Sequence, residues 1–394
     1  MGINSRKWSK ARRLHAQLIN KFSLSLRVPI SEYVHSDGPA TAILPYLKPT
    51  DFLQTMLSVE LSWLLLGGRT ASDVETGRVL ESFWACYKKE HPEHAVFQHP
   101  ERLSKTFPMT MHGDGGRTQK KQPLEIFSLQ PVLGLDTASH RMGMCRCETS
   151  AAYGGGDWCD PASQHLNSKH STYLTHFLVF AFPSKAYLEF PNILTGLLKE
   201  VMDNFASACE KGIVTQSGDT WYPACVGFKL DMEWMVKVGS LTRSYQNVGH
   251  VNQKPCCHEC DAGKQLIPFE DVTDCACWIR TRWATVPWQT MPPWASIPFD
   301  SGKPAKILRR DAFHVFRLGI CRDFIGSTVH LLIYMGCALP SLVGILQTKT
   351  CTPVPKKVGN EALGPVSSKT LTWKGRHFLL KFCIVKPPLN LCPS

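Results

Sequence analysis

Residues 107–116 have the sequence FPMTMHGDGG. The apolar first half predicts a short β-strand over 107–111, and the glycines that follow predict a turn that holds Asp114. Hydrophobic patterning predicts four further elements, which are a strand over 124–129, a strand over 173–182, a helix over 191–211, and a strand or strand pair over 221–239. The order strand, strand, strand, helix, strand indicates an α/β (α+β) fold.

Two aspartates fall on this pattern, Asp114 after the first strand and Asp231 on the fourth. This order is typical of an RNase H-like core, in which the first and fourth strands are neighbours, so the two carboxylates are expected to converge. Converging carboxylates bind Mg²⁺ or Mn²⁺, because hard cations prefer oxygen ligands. Two such ions stabilise the attacking and leaving oxygens of a phosphodiester. Alternatively, Asp114 serves only a turn and Asp231 is an exposed strand residue.

A second pair of candidate catalytic residues is Asp311 and His314, within the stretch LRRDAFHVFRLG at 308–319. Residues three apart on a helix share a face, so these side chains are expected to orient each other or a metal-bound water. The alternative is a pair on a helix surface. We expect a buried helix over 321–335. Residues 325–347 carry no Asp, Glu, Lys or Arg, but His330 and Pro340 interrupt them, so a membrane span is disfavoured.

The 250–310 segment is rich in Cys, Trp and Pro and is expected to be an insertion. Cys257 and Cys260 form a Cys-x-x-Cys pair, which is half of a zinc site. His250, Cys275 and Cys277 are candidates for the remaining ligands, with plain buried thiols as the alternative. A weaker second zinc candidate consists of Cys145, Cys147 and Cys159.

The chain has 394 residues, of which 44 are Lys or Arg and 32 are Asp or Glu, for a net charge of +12. The hydrophobic content of 43% excludes wholesale disorder. A basic balance favours a polyanionic partner such as DNA. No acidic residue precedes Glu32, and the bases between Arg6 and Arg13 predict a nuclear-localisation signal or a DNA-backbone contact. An organelle transit peptide and a solvated tail are the alternatives.

Four arginines are candidate DNA-binding residues, because they lie among or just after the tryptophans of the insertion. Such a mixture suits phosphate contacts and base stacking, although the tryptophans would equally fill a core. The four are Arg280, Arg282, Arg309 and Arg310.

The predicted domain organisation has six parts. They are a basic extension (1–44), a helical N-terminal unit (45–100), the RNase H-like core (105–249), the Cys- and Trp-rich insertion (250–310), the Asp-x-x-His helix (311–335) and an irregular tail (336–394).

These motifs, in this order, resemble those of eukaryotic DDE/D transposases, closest to the Plavaka and Kyakuja-Dileera-Zisupton group. The resemblance covers roughly residues 45–335. It rests on HGDGG at 112–116, Lys229-x-Asp231, the LTRSY stretch at 241–245 before the Cys-x-x-Cys pair, and the Asp-x-x-His motif before Leu318-Gly319.

The resemblance implies that Asp114 and Asp231 are the first two acids of a metal triad, and that Asp311 and His314 match its Asp-x-x-His signature. It implies DNA cleavage and strand transfer with Mg²⁺ or Mn²⁺, no small-molecule substrate, and a possible homo-oligomer. The third acid is not identified, since Glu361 is the sole glutamate after Asp311. We therefore expect a truncated protein with an incomplete active site. The alternative is a non-enzymatic, zinc-stabilised nucleic-acid-binding protein.

Overall fold

The computed structural model describes residues 26–117, 123–135, 137, 167, 175–247, 255–310 and 321–334. Its first element is an antiparallel hairpin of β1 (Ile30–Asp37) and β2 (Ala40–Leu47), which turns at Gly38 with a φ of 60°. The sequence predicted only an extension up to residue 44. The hairpin crosses that boundary, because its strands pair along their whole length from Ile30↔Leu47 to Asp37↔Ala40.

The predicted helical unit is present as α1 (Pro49–Ser58) and α2 (Val74–Glu90). Asp73 is the N-cap of helix α2, since its side chain accepts a hydrogen bond from the Glu75 N–H at 3.0 Å. Its buried Trp84 donates from Nε1 to the Thr106 carbonyl at 2.8 Å. Helix α2 is thereby tied to the first strand of the central sheet.

The remaining elements build that sheet and its helices. They are β3 (Thr106–Arg117), β4 (Pro123–Pro131), β5 (Phe177–Pro183), α3 (Lys185–Glu189), α4 (Ile193–Lys211), β6 (Ile213–Val214), β7 (Thr220–Leu230), α5 (Met232–Gly239), β8 (Leu308–Arg310) and α6 (Cys321–Tyr334).

The sheet is mixed, with the strand order β5-β4-β3-β7-β6. Strands β3, β4 and β5 pair antiparallel in succession, whereas β7 is parallel to β3 and β8 is parallel to β7. The first and fourth predicted strands are therefore neighbours, as β3 and β7. This arrangement confirms the mixed α/β class that the sequence predicted.

The core lies where apolar patterning is strongest. Phe107, Met109 and Met111 of β3 are inaccessible to solvent, and α4 buries its whole apolar stripe. The inaccessible residues of that stripe are Ile193, Leu194, Leu197, Val201 and Phe205. Helix α4 packs against α1 and β7, so the N-terminal unit and the sheet share one core.

Two predictions about the aspartates need correction. Asp114 is not in a turn, because β3 continues to Arg117 and pairs its glycine-rich end with β4, with Asp114 opposite Ile126. Asp231 is not within a strand, because β7 ends at Leu230 and α5 follows at once. The 221–239 stretch is thus a strand and a helix.

Helix α6 coincides with the helix predicted over 321–335, but three apolar residues among those whose burial is described are exposed, contrary to the expected burial. Phe324, Ile325 and Leu331 are all more than half exposed. Among the described residues, no helix has the length and apolar character needed to cross a membrane.

Candidate carboxylate site

The register of β3 and β7 brings Asp114 and Asp231 to the same level of the sheet. His112 pairs with Lys229 and Gly113 pairs with Leu230. Asp114 and Asp231 are the next residues along the chain. Asp231 follows the last residue of β7, whereas Asp114 lies within β3, three residues before its end at Arg117. Neighbouring strands are about 4.8 Å apart, so the backbones of the two aspartates lie close to each other.

Asp231 is held at the start of α5. Its backbone is extended, with φ of −62° and ψ of 157°, and its side chain accepts a hydrogen bond from the Trp234 N–H. This is an N-cap, which satisfies one of the free donors of the first helical turn. The cap fixes the direction of the Asp231 carboxylate relative to the end of β7.

A buried carboxylate that the sequence analysis missed holds α5 against the sheet. Glu125 of β4 accepts hydrogen bonds from Trp234 Nε1 at 3.0 Å and Lys237 Nζ at 2.8 Å. It accepts a third from Ser184 Oγ at 3.0 Å. Since these donors occupy both of its oxygens, Glu125 supports the helix that Asp231 caps.

Gly113 shows why α5 lies so close to the sheet. A Cβ atom at this position would be 2.5 Å from the Trp234 ring. The ring stacks on Phe127 with centroids 6.1 Å apart. Because side chains alternate along a strand, the neighbours His112 and Asp114 are on the opposite face from Gly113.

That opposite face carries a polar row beside Asp114. Lys229 is level with His112, and its Nζ donates to Gln130 Oε1 at 3.0 Å. The rings of His112 and His176 are 5.9 Å apart. Burial, followed by the positive charges of His112 and Lys229, lowers the pKa of His176. The sequence does not reveal this row, because its residues come from different strands, and within each strand a polar residue between nonpolar neighbours is ordinary.

Cys257 and Cys260 interact with each other, but the two further cysteine candidates within the described residues are not gathered around them. Hydrogen bonding from Cys260 lowers the pKa of Cys257 to about 6, while the pKa of Cys260 rises. Cys275 and Cys277 are exposed, and Cys275 lies 3.4 Å from the Thr273 hydroxyl instead. Across the described ranges, no three His, Cys, Asp or Glu side chains are placed to hold a metal ion.

The other cysteines and histidine named as zinc candidates, and the Asp-x-x-His pair, lie outside the described residues. They are Cys145, Cys147, Cys159, His250, Asp311 and His314. The backbone of Arg310 is level with Leu230, and Asp311 is the next residue in the sequence.

The candidate DNA-binding arginines have different surroundings. Arg280 and Arg282 are exposed, and the Arg282 guanidinium lies 4.2 Å from the centre of the Trp283 ring. Lys306 Nζ lies 4.4 Å from the same ring. Arg309 is directed inward, with its guanidinium bonded to the Val226 carbonyl and to His91. Its placement corrects the expectation that Arg309 contacts DNA.

Comparison with known proteins gives no relative, since no family model, curated protein or solved structure matches this chain.

Proposed function

We propose that the chain contains an RNase H-like core of the DDE transposase type, which binds DNA and cleaves or transfers its phosphodiester bonds with Mg²⁺ or Mn²⁺. The strand order supports this proposal, because β3 lies between the antiparallel β4 and the parallel β7. For Asp311 and His314, the proposed role of supporting the active site rests on the sequence motif alone.

The observation that carries the proposal is the common level of Asp114 and Asp231. The two residues are far apart in the chain, and the pairing of Gly113 with Leu230 makes them neighbours across the sheet. Asp114 and Asp231 are both partly exposed, which supports access by a polyanion.

Both aspartates suit a hard divalent cation, because carboxylate oxygens are the ligands that Mg²⁺ and Mn²⁺ prefer. Bound there, the metal would neutralise charge that develops on a reacting phosphoryl oxygen. Lys229 and His112 lie on the same face and add positive charge near the substrate. Asp231, already oriented by its cap, would supply a pre-oriented ligand.

Binding of DNA would be mainly electrostatic, in keeping with the net charge of +12. Each neutralised phosphate releases counterions, so the affinity would fall steeply as salt rises. Arg280 and Arg282, both exposed, are proposed to contribute phosphate contacts. A nuclear location follows from this proposal.

Replacing Asp231 by asparagine tests the site. Asparagine is as good an N-cap as aspartate, so α5 is expected to remain intact while a charged ligand is lost. We expect the Mn²⁺ affinity of the folded chain to fall at least about tenfold, because a charged ligand is lost. A tenfold change corresponds to about 1.4 kcal/mol of binding free energy. Nicking of supercoiled DNA in Mn²⁺ is expected to disappear, whereas DNA binding in a filter or gel assay should persist.

The matched control is Asp219→Asn, at the other end of β7. Asp219 is exposed and pairs with Lys105 at 2.6 Å, far from the carboxylate site. This variant should bind Mn²⁺ like the wild type. Asp114→Asn should behave like Asp231→Asn. Equal Mn²⁺ affinity in wild type, Asp114→Asn and Asp231→Asn would rule out the proposed metal site.

The alternative function, a zinc-stabilised nucleic-acid-binding protein, has support in the formed Cys257–Cys260 pair. The hydrogen bond with Cys260 lowers the pKa of the Cys257 thiol, which favours the thiolate, and thiolates are the sulfur ligands of zinc. The remaining ligands would have to come from beyond this pair, with His250 as one candidate. Under this alternative, DNA binding needs no carboxylate site.

Zinc content measures this alternative directly. Cys257→Ser and Cys260→Ser should each lose bound zinc and lower the thermal stability of the chain, because structural zinc contributes folding energy. Cys86→Ser is the control, since Cys86 is exposed on α2. If purified wild type carries no zinc after expression in zinc-supplemented medium, the role of this pair as a zinc half-site fails.

A further inference from the structure

Strand β7 has one residue more than β3 over the stretch where they pair. Met109 pairs with Cys225, but the next residue of β3, Thr110, pairs with Gly227. Val226 is therefore the extra residue of a β-bulge, which is rare between parallel strands. Both sides of the bulge keep regular pairing.

The bulge determines which residue of β3 is level with Asp231. Without it, Gly113 would pair with Lys229, and Asp114 would lie beside Leu230. Asp231 would then follow at the level of Gly115 instead of Asp114, because a slip of one residue changes the partner of every residue beyond it. The common level of the two aspartates therefore depends on the bulge at Val226.

Arg309 holds this bulge from the neighbouring strand. Its Nη2 and Nε donate to the Val226 carbonyl at 2.9 and 3.2 Å, and Tyr87 Oη donates to the same oxygen at 3.5 Å. Gly227 leaves room for the arginine, since a Cβ there would be 2.5 Å from Arg309 Cγ. Three donors thus replace the ladder hydrogen bond that a bulge disrupts.

The guanidinium is itself oriented by a buried histidine. Arg309 Nη2 is 3.2 Å from His91 Nε2, and arginine can only donate, so Nε2 accepts. Burial first, and then the positive charge of Arg309, lower the pKa of His91 to about 3, so the ring is neutral. Its proton is therefore on Nδ1, which lies 3.8 Å from Asp300 Oδ2. Asp300 is fixed in turn by the N–H groups of Gly302 and Lys303.

We propose that Arg309 is a positioning residue for the carboxylate site, acting through the Val226 bulge to keep Asp231 level with Asp114. The role in metal binding rests on the proposed function, whereas the control of strand register does not. Arg309 contacts neither the metal nor DNA in this role; it acts on the backbone of β7, five residues before Asp231.

The test uses the full chain with Arg309→Gln and Arg309→Lys, and two measurements. The first is the Mn²⁺ affinity by titration calorimetry, at a temperature at which circular dichroism shows each variant folded. The second is the yield of a short thiol cross-link between cysteines placed at 114 and 231, identified by mass spectrometry of the linked peptide. The second measurement reports register without any metal.

Arg309→Gln is expected to weaken Mn²⁺ binding about 10- to 100-fold, as for residues that orient metal ligands, and to lower the cross-link yield. Arg309→Lys keeps one donor and should recover part of both. The control is Arg102→Gln, because Arg102 also donates to a backbone carbonyl, that of Glu210 at 3.1 Å, but away from the bulge. It should leave both measurements unchanged.

A second-site rescue makes the test specific to the bulge. Deleting Val226 in the Arg309→Gln chain lets Thr110 pair with Gly227 in a regular ladder, which no longer needs Arg309. The deletion should restore both measurements. Unchanged Mn²⁺ affinity and cross-linking in folded Arg309→Gln, or no rescue in the folded double variant, would overturn the proposal. If the cross-link depends on Arg309 while wild type binds no Mn²⁺, the register control stands and the proposed function fails.

Discussion

Replacing Trp234 by alanine is expected to lower the free energy of unfolding by about 3–5 kcal/mol, the cost of emptying a large aromatic site in a core. Trp234 is 3% exposed, and its ring fills the space over Gly113. It also stacks on Phe127 and donates to Glu125. The substitution therefore removes packing and leaves a buried carboxylate one donor short. Urea unfolding followed by circular dichroism measures the change.

The same substitution should reach the carboxylate site, because Trp234 is in the first turn of the helix that Asp231 caps. Trp278→Ala is the matched control. Trp278 is half-buried and donates one hydrogen bond, to the Asp271 carbonyl at 2.7 Å. We expect it to cost about 1 kcal/mol, the net value of a typical hydrogen bond with little packing. If the Trp234→Ala chain were as stable as the Trp278→Ala chain, the packing of α5 against the sheet would not depend on Trp234.

Much of the sheet was predictable, because its strands and α4 follow simple periodicities. Strand β4 and helix α4 were predicted nearly at their observed bounds, since β4 contains a compact buried run and the apolar residues of α4 bury one face. The end of β3 was predicted as a turn on the strength of its glycines. Gly113 instead serves the approach of Trp234, and its partner Phe127 supplies the apolar side chain.

The site was predictable only as a pair of residue types on two strands. The sequence placed Asp114 and Asp231 near each other through the order of elements, but register depends on one extra residue. Val226 has the character of any strand residue, and its bulge is held by Arg309, which is 83 positions away. Glu125 was missed for the same reason, since its donors lie 109 and 112 positions along the chain.

Replacing Arg243 by methionine is expected to destabilise the 255–285 segment by about 3–5 kcal/mol, the cost of breaking a buried ion pair from one side. The Arg243 side chain is 4% exposed and pairs with Asp261. Its other donors reach the Thr285 hydroxyl at 2.7 Å, the Thr285 carbonyl, and the His258 carbonyl at 3.4 Å. One guanidinium thus joins the 241–247 stretch, the Cys-x-x-Cys loop and the stretch before Trp288.

Methionine keeps the aliphatic length of Arg243 but removes every donor, so the loss should appear as local opening. Hydrogen exchange in peptides covering 255–262 and 281–285 should accelerate, and limited proteolysis should cut there first, while β3 and β7 keep their protection. Lys264→Met is the control on the same carboxylate. Lys264 pairs with Asp261 at 2.8 Å but is 45% exposed, so its loss should cost no more than about 1 kcal/mol. Equal exchange in the two variants would contradict the central role of Arg243, because solvent already screens the lysine and only the arginine spans all three segments.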